Sequence, residues 1–262
     1  MSALDASLAL ESAGEGQWRA VADPTREANT GMFGGWTAAL LLKAVLDDPR
    51  SEGSASAITV GYVNRVPPGR ALTLRSQRLG GGKSLSHWRC ELSADGSDGI
   101  CATASIVLAN RRDSDQFTEV KMPEAPAPNT LPLFHPPASF GETMDMRIAA
   151  GANPFNQPTT RSLVWERETS GRPLDAVQLT YLSDVGWPRV FALGAGPRPS
   201  STITLSVYIH AADNELAACG DDYILSDMIG TRVEHSTVGS RANLWSRSGA
   251  LLATTEQLCW FR

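Results

Sequence analysis

The residues of this sequence that could do chemistry are an aspartate, a glutamine and a pair of glycines, far apart along the chain. Asp184 ends the motif Tyr181-Leu182-Ser183-Asp184, and Gln257 lies in an apolar segment near the C-terminus. A carboxylate can take a proton from water, and an amide or a hydroxyl can hold that water in place. Gly34 and Gly35 could let a carbonyl oxygen approach free backbone N–H groups at the start of a helix.

Each of these residues also has a purely structural interpretation. An aspartate near the end of a helix is often a cap or a solvated side chain, and for Asp184 alone that interpretation is favoured. Gln257 could pair with backbone groups inside its strand. Gly34 and Gly35 could serve only to let a helix pack closely on a sheet. A functional interpretation of Asp184 therefore depends on Gln257 and the other motifs occurring in the expected order.

Several other chemistries are not expected. The sequence has no GxSxG motif, so a serine nucleophile on a strand-to-helix turn is not predicted. Its four histidines and four cysteines show no metal-binding spacing, and we predict neither a metal site nor a cofactor. The loop 80–84, which contains Lys83, could hold phosphates, but a hairpin turn is the favoured interpretation. The cysteines are expected to be small buried hydrophobic residues: Cys90, Cys101, Cys219 and Cys259.

The overall composition predicts a folded protein without an affinity for nucleic acid. The chain has 262 residues, of which 42% are hydrophobic and 19% charged, and its formal net charge is -5. That balance lacks the basic stripe that nucleic-acid binding requires. No apolar run approaches the roughly 18 residues of a membrane span. The first 17 residues do not resemble a signal peptide, so we expect a cytoplasmic protein that does not enter a membrane.

The first half of the chain predicts one helix followed by four strands. Trp36, Leu40, Leu41 and Val45 recur at helical spacing, which indicates a helix over 34–46. Segments rich in β-branched or alternating residues follow it, separated by turns that contain glycine or proline, as in an antiparallel sheet. The predicted strands are 57–66, 71–79, 84–93 and 99–110, and a short strand over 16–23 precedes the helix.

The second half repeats this order after a proline-rich segment. Prolines cannot occupy a central strand or the interior of a helix, so residues 121–138 are predicted to be an extended linker. It divides the chain into residues 1–120 and residues 139–262. A helix is predicted over 173–184, with Pro173 in its first turn. The predicted strands of this half are 143–149, 162–168, 201–210, 223–234, 240–246 and 250–261.

Short matches between the halves indicate a duplicated unit. Ile58-Thr59-Val60 is similar to Ile203-Thr204-Leu205, and each opens the first long strand after a helix. The order of the predicted elements is stronger evidence for duplication than these short sequence matches. It predicts an α+β fold with two repeats of a long helix on an antiparallel sheet. The two sheets could continue edge to edge and so protect each other's edge strands.

Four motifs in this order resemble the acyl-CoA thioesterase II family, the double-hotdog thioesterases. Phe33-Gly34-Gly35 is similar to the family's glycine pair at the start of the first helix, and Met122–Pro128 resembles its interdomain linker. Tyr181–Asp184 is similar to a motif whose aspartate is catalytic. Ala253–Gln257 resembles the last strand, whose glutamine is catalytic. The resemblance covers nearly the whole chain after the first ten or so residues.

The resemblance implies a catalytic set of Asp184, Gln257 and Thr202 that positions a water. The family often has aspartate and histidine two residues after the threonine, where this chain has Thr204-Leu205. Thr204 is therefore an alternative to Thr202, and the alternation of a strand predicts that both side chains point the same way. By the same resemblance, backbone N–H groups of Gly34, Gly35 and Trp36 would face Asp184 and bind the oxyanion of the reaction.

The implied activity is hydrolysis of acyl-CoA, with coenzyme A as part of the substrate and a homo-oligomer as the expected assembly. These residues are compatible with attack by an activated water and with direct attack by the aspartate. One active site per chain is expected, because the first-half counterpart of Gln257 is Ile106 or Val107. Two alternatives are a binding protein without activity and a hydratase or dehydratase, which would pair the aspartate with a histidine. Convergence of Asp184, Gln257 and Thr202 would favour the hydrolase.

Overall fold

A computed structural model describes residues 1–262, and thirteen of its fifteen strands form one large antiparallel sheet with helices packed on it, while the other two form a small separate hairpin. The first half contains α1 (Ala3–Ser7), β1 (Glu11–Gly14), β2 (Gln17–Val21), β3 (Glu27–Ala28), β4 (Gly31–Met32), α2 (Gly34–Leu46), β5 (Ser54–Tyr62), β6 (Ala71–Gly81), β7 (Leu85–Ala94) and β8 (Ile100–Ala109). The second half contains β9 (Leu133–Phe134), β10 (Met144–Ala150), β11 (Ser162–Glu168), α3 (Ala176–Leu182), β12 (Ser200–Ile209), α4 (Asp213–Ala218), β13 (Ile224–Glu234), β14 (Thr237–Ser246) and β15 (Leu251–Phe261).

The strands of the two halves occupy opposite ends of a 13-stranded sheet. Their order is β1-β2-β6-β7-β8-β5-β12-β15-β14-β13-β11-β10-β9, and all neighbours are antiparallel, as the sequence predicts. The halves join where β5 pairs with β12, with Val60 opposite Leu205. This pairing removes one edge from each half-sheet, so that only β1 and β9 remain at the ends.

Helix α2 is the central helix of the core. Its bounds are those predicted from the spacing of its apolar residues, and most of its side chains are buried on all sides. Phe33 precedes it and stacks on Phe140 of the second half, with ring centroids 4.2 Å apart. The last turn contains Lys43, which pairs with Asp47 at 2.6 Å just beyond the end of the helix. The start of α2 is thus fixed by contacts that come from both halves.

The helix of the second half is shorter than the sequence predicts. The predicted span was 173–184, whereas α3 covers only Ala176–Leu182, so the expected pair of long helices is wrong. The Asp175 side chain accepts a hydrogen bond from the backbone N–H of Gln178 at 2.8 Å and so caps the helix there. Upstream, the Leu174 N–H bonds to the Gly220 carbonyl instead of entering the helix. The chain leaves α3 at Ser183, which places Asp184 outside the helix.

The proline-rich linker lies on the outer face of the second half-sheet. It contains one short 3-10 turn, Pro128–Thr130, and ends in the edge strand β9. Trp165 donates its indole N–H to the Pro126 carbonyl at 2.8 Å. Met122 and Leu131 pack against a small apolar cluster around this tryptophan. The linker therefore shields part of the sheet, in addition to connecting the halves.

A short N-terminal helix that the sequence reading missed covers α2. Ser2 and Asp5 form a capping box at the start of α1. Leu4 is fully buried, and Ser7 accepts the indole N–H of Trp36 at 3.3 Å. The loop after β6 forms a hairpin turn, as favoured above. All four cysteines are free, and all but Cys219 are buried. None of the helices is long and apolar enough to cross a membrane.

Candidate active site

The Asp184 carboxylate lies at the N-terminus of α2, where the two halves of the molecule meet. A Cβ atom added to Gly34 would lie 2.4 Å from Asp184 Oδ2, so the two residues are in close contact. The backbone of Gly35 provides a hydrogen bond to the same carboxylate. The first N–H groups of a helix have no partner within it, and they carry the positive end of the helix dipole. The first half thus supplies the electrostatic environment of an acid from the second half.

A short chain of hydrogen bonds joins Asp184 to the other two predicted residues. Gln257 Nε2 donates to Asp184 Oδ1 at 2.5 Å and to Thr202 Oγ1 at 2.9 Å. Residue Gln257 lies on β15, and Thr202 lies on the neighbouring strand β12. The sequence separates these three residues by up to 73 positions, and the fold brings them together. Both amide hydrogens of Gln257 are used in these contacts.

A serine on the next strand contacts the other end of the glutamine amide. Ser240 lies directly opposite Gln257 in the pairing of β14 with β15. Its hydroxyl donates to Gln257 Oε1 at 3.5 Å, a long hydrogen bond that favours the amide orientation described above. Ser240 was not among the predicted site residues. A cross-strand neighbour can be identified only when the register of the sheet is known.

Thr202 is at the site and Thr204 is not, because β12 contains a bulge between them. The pairing with β15 shifts register between Thr202 and Thr204. The extra residue reverses the alternation, so the expectation that both threonines point the same way is wrong. The Thr204 side chain is exposed, whereas Thr202 is partly buried beside Gln257. The bulge therefore decides between the two candidates.

Of the residues at the start of α2, the glycines contact the second half and Trp36 points away from the carboxylate. A Cβ atom at Gly35 would lie 2.2 Å from the Tyr181 carbonyl oxygen, so α2 and α3 approach each other backbone to backbone. The Trp36 side chain is fully buried against α1. Only its backbone N–H is available to the site, because its indole is held elsewhere.

Tyr62 is a residue of the candidate site that was not among the predicted site residues. It ends β5, and its hydroxyl donates to the Gly34 carbonyl at 2.8 Å. Burial, and then the negative charge of Asp184, raise the pKa of Tyr62 well above its usual value. The phenol therefore stays protonated and keeps its hydrogen bond to the helix start. No local motif surrounds this tyrosine, so nothing in the sequence alone pointed to the contact.

Family comparisons identify the chain. Residues 22–109 match the family model of the acyl-CoA thioesterase N-terminal domain, and residues 118–261 match that of the acyl-CoA thioesterase C-terminal domain. The chain belongs to the acyl-CoA thioesterase family. No curated protein matches it.

Solved structures agree with the fold of this thioesterase-family protein. A hot dog fold protein of unknown function from Alicyclobacillus acidocaldarius is 29% identical, with a TM-score of 0.94 over 100% of this chain and 98% of that one. The TesB protein of Mycobacterium avium subs paratuberculosis is 20% identical, with a TM-score of 0.80 over 99% and 98% of the two chains. The acyl-CoA thioesterase II TesB2 of Mycobacterium marinum is 18% identical, with a TM-score of 0.78 over 99% and 97%.

The acid of this thioesterase-family site titrates near neutrality. Burial raises the pKa of Asp184 from 3.8 to about 7, while the hydrogen bonds from Gln257 and Gly35 oppose the rise. A base with a pKa close to the working pH is both available and strong enough to take a proton. A carboxylate in this state can deprotonate a water molecule.

The cysteine beside the site is not a nucleophile. Cys259 is buried, with its sulfur 3.8 Å from Thr202 Oγ1. Burial raises the pKa of its thiol to about 11, so that the reactive thiolate is rare at neutral pH. Of the groups gathered here, Asp184 is the one suited to start a reaction.

Proposed function

We propose that this protein hydrolyses the thioester bond of acyl-CoA, with Asp184 as the general base. The observation that carries the proposal is the chain of hydrogen bonds from Thr202 through Gln257 to Asp184 at the N-terminus of α2. It occurs in a member of the acyl-CoA thioesterase family. A binding protein without activity would have no need to hold a carboxylate of raised pKa in that position.

In the proposed reaction, Asp184 takes a proton from a water whose oxygen attacks the thioester carbonyl carbon. The negative charge that develops on the carbonyl oxygen is stabilised by free backbone N–H groups at the start of α2, with Gly34 and Trp36 as the candidates. The Gly35 backbone already bonds to Asp184, so we assign it to positioning the base. The carbon–sulfur bond then breaks, and the proton passes from Asp184 to the sulfur, giving the free acid and coenzyme A.

Gln257 and Thr202 have separate tasks in this proposal. Because Gln257 already donates both amide hydrogens, it orients the carboxylate and leaves the water to other groups. The Thr202 oxygen accepts from Gln257, and its own hydroxyl hydrogen, which can also reach the Cys259 sulfur at 3.8 Å, donates to the water in this proposal. This assignment differs from the one expected by resemblance, in which Gln257 also held the water.

We also propose a double-hotdog organisation with one active site per chain. Residues 1–120 and 139–262 would be the two hotdog units and residues 121–138 their linker. The pairing of β5 with β12 supports this division, since it is the one place where the half-sheets meet. Association of copies into a homo-oligomer and a cytoplasmic location remain proposals.

The test is a panel of acyl-CoA thioesters of increasing length, with release of free thiol as the readout. Asp184→Asn keeps the size of the side chain and removes the base. We expect the wild-type protein to release thiol and the variant to be about 100- to 10,000-fold slower, the usual contribution of a general base. Single-turnover hydrolysis in ¹⁸O-labelled water separates the routes, because only attack by Asp184 itself places the label on the protein.

Two outcomes would contradict the proposal. A folded protein that releases thiol from no acyl-CoA would not be an acyl-CoA thioesterase. If Asp184→Asn left the rate of hydrolysis unchanged, the thioesterase activity would stand, but Asp184 would not be its general base. Thermal unfolding of the variant must accompany the assay, so that a loss of folding is not mistaken for a loss of chemistry.

A further inference from the structure

Arg189 is a buried cation that no acidic side chain neutralises. Its side chain is only 5% exposed, and no carboxylate lies within 4 Å of it. A buried arginine is normally paired, because taking an isolated charge out of water is costly. The other buried arginine of this protein, Arg26, follows the rule and pairs with Glu168 at 2.9 Å. Burial lowers the pKa of Arg189 to about 10, which reflects the missing partner.

Neutral acceptors hold most of the guanidinium in a fixed orientation. Nη1 donates to the Thr160 carbonyl at 3.1 Å and to Ser162 Oγ at 2.7 Å. Nε and Nη2 donate to the Trp187 carbonyl at 2.9 and 2.5 Å. These four bonds leave one N–H, on Nη2, free. A Cβ atom at Gly186 would lie 3.3 Å from Nη2 and 2.2 Å from the Met228 sulfur, so Gly186 lets both side chains pack closely against its backbone.

Arg189 lines two cavities, one of which contains the candidate active site. Asp184, Gly186 and Gln257 line the smaller cavity with it. The other has a volume of about 270 Å³ and shares both Trp187 and Arg189 with the first. A cavity of roughly 150 Å³ is enough to hold benzene, so there is room for a short acyl group. Apolar and polar surface both line this cavity, so it offers contacts to a short alkyl chain and to a polar group at its end. Its polar lining residues are Asn153, Gln157, Thr159, Thr160, Arg161 and Arg189.

The position of Arg189 favours an anion on the acyl side of the thioester. The phosphates of coenzyme A are separated from the thioester sulfur by the whole pantetheine arm, whereas Arg189 and Asp184 line one small cavity. The neighbouring Arg161 is already neutralised by Asp227, with both carboxylate oxygens engaged at 2.8 and 2.9 Å. Arg241 also lines the smaller cavity and has no carboxylate partner, but its side chain is exposed, so water screens its charge. Arg189 is therefore the buried cation of these walls whose charge is left for a ligand.

We propose that Arg189 binds a carboxylate at the far end of a short acyl group, so that thioesters of dicarboxylic acids are the preferred substrates. This inference rests on the proposed thioesterase function and specifies its substrate class. The free N–H of Arg189 can donate a charge-assisted hydrogen bond to one carboxylate oxygen, and a buried site built for that contact rejects an analogue that lacks the charge.

The experiment compares matched pairs of thioesters in which a terminal carboxylate replaces a methyl group. Succinyl-, glutaryl- and adipoyl-CoA are assayed against butanoyl-, pentanoyl- and hexanoyl-CoA. We expect a higher kcat/KM for at least one dicarboxylic member, and Arg189→Met should lower that preference by about 100-fold. If the wild-type kcat/KM for the neutral member of every pair equalled or exceeded that for the charged member, the proposal would be overturned.

A second variant is needed because Arg189→Met also removes the hydrogen bonds that support the fold. Asn153 lines the larger cavity and is exposed, and its Oδ1 accepts the Phe155 N–H at 3.0 Å. Asn153→Asp preserves that bond and brings a negative charge to the cavity, so it should weaken the preference about tenfold by repulsion. Asn214→Asp is the matched control: it adds the same charge on α4, which lines neither cavity, and should change nothing.

A binding measurement separates this inference from the proposed function. Adipic acid monoamide and hexanamide mimic the two acyl groups without a thioester, and calorimetric titration reports their binding without any hydrolysis. Tighter binding of the charged amide, weakened by Asn153→Asp, would support the anion site even if no thioester is cleaved. Equal binding of the two amides would overturn it, whatever the hydrolysis assay shows.

Pantetheine thioesters, which lack phosphates, provide the last control. If Arg189 bound a phosphate of coenzyme A, Arg189→Met would slow charged and neutral acyl-CoAs alike and would slow neither pantetheine thioester. That result would overturn the assignment. Retention of the selective loss with pantetheine thioesters would support it.

Discussion

At the scale of single residues, the site depends on how its surroundings set the charge of one carboxylate. Asp184 is partly buried in the fold, and this burial raises its pKa to about 7. Gln257 and the backbone of Gly35 oppose that rise by bonding to the ionised form. The balance leaves an acid that is partly ionised at neutral pH and can exchange a proton with a substrate.

The pH dependence of the reaction should follow this residue. Asp184 acts as a base only when ionised, so kcat/KM should rise with pH through a midpoint near 7. Gln257→Leu removes a bond that lowers the pKa, and the midpoint should therefore move to higher pH. We also expect a loss of about 10- to 100-fold in rate, because the carboxylate is no longer held in place. An unchanged midpoint in this variant would contradict the role given to Gln257.

The same ionisation should affect stability. The folded pKa of Asp184, about 7, lies above the ordinary value of 3.8, so the folded protein holds this proton more tightly than the unfolded chain. The contribution of the group to the free energy of unfolding therefore falls as the pH rises from about 4 to about 7. Asp184→Asn should remove this part of the pH dependence, which urea unfolding at several pH values can measure.

A glycine substitution should damage the site without damaging the helix. In Gly34→Ala, the added methyl group would lie 2.4 Å from Asp184 Oδ2 and must displace the carboxylate. Displacement of about 1 Å costs roughly 100-fold in rate, whereas alanine suits a helix better than glycine. Gly82→Ala is the matched control, since its Cβ would meet no atom within 4 Å. Equal activity of the two variants would argue against close contact at the helix start.

At the scale of elements, the position of α3 decides where Asp184 lies. Arg26 of the first half donates to Glu168 of β11 at 2.9 Å and to the Tyr181 hydroxyl of α3 at 3.3 Å. Phe33, just before α2, meets the Tyr181 ring edge-on, with the centroids 5.2 Å apart. These contacts hold the end of α3 against the start of α2. The position of α3 is thus fixed by contacts with neighbouring elements, because so short a helix has little stability of its own.

Removal of the Arg26 charge should therefore destabilise the protein. The Arg26 and Glu168 side chains are 2% and 1% exposed, so Arg26→Met leaves a buried carboxylate without its partner. We expect the free energy of unfolding to fall by about 3–5 kcal/mol in urea titrations. The double variant Arg26→Met/Glu168→Met removes both charges and should recover much of that loss. A single variant as stable as the wild-type protein would show that the pair contributes little.

At the scale of the whole molecule, the candidate active site is formed by residues of both halves. The carboxylate, amide and hydroxyl come from residues 139–262, whereas the start of α2 and Tyr62 come from residues 1–120. The continuous sheet across β5 and β12 holds the two parts in register. A duplicated fold can in this way keep one complete site and use its other half as a support.

Cutting the chain in the linker tests this division. Fragments 1–120 and 121–262, when co-expressed, should purify together, because the β5–β12 pairing and the packing of α2 on α3 would remain. The mixture should hydrolyse acyl-CoA, and each fragment alone should not, since neither contains both the base and the helix start. Activity in fragment 121–262 by itself would show that the first half is unnecessary for chemistry.

Most of the local elements and the chemical candidates could be predicted from the sequence. The apolar spacing of residues 34–46 fixed the bounds of α2, because helical periodicity is a local property. The prolines of the linker excluded a central strand there, and the order of strands predicted an antiparallel sheet. Asp184, Gln257 and Thr202 could be named from their motifs, and the start of α2 from its glycines. Each of these residues could be recognised from the few residues that surround it in the sequence.

Only the tertiary structure decided which of the candidates meet and what surrounds them. The bulge in β12 selects Thr202 over Thr204, and the turn after Ser183 ends α3 early, because register and capping depend on partners distant in sequence. Ser240 joins the site through strand pairing, and Tyr62 joins it through the hydrogen bond from its hydroxyl to the Gly34 carbonyl. Nothing in the sequence distinguishes Arg189 from the other arginines. It is a candidate anion site only because the fold buries it without an acidic side chain beside it. Solvation and long-range contacts, which periodicity does not encode, set these properties.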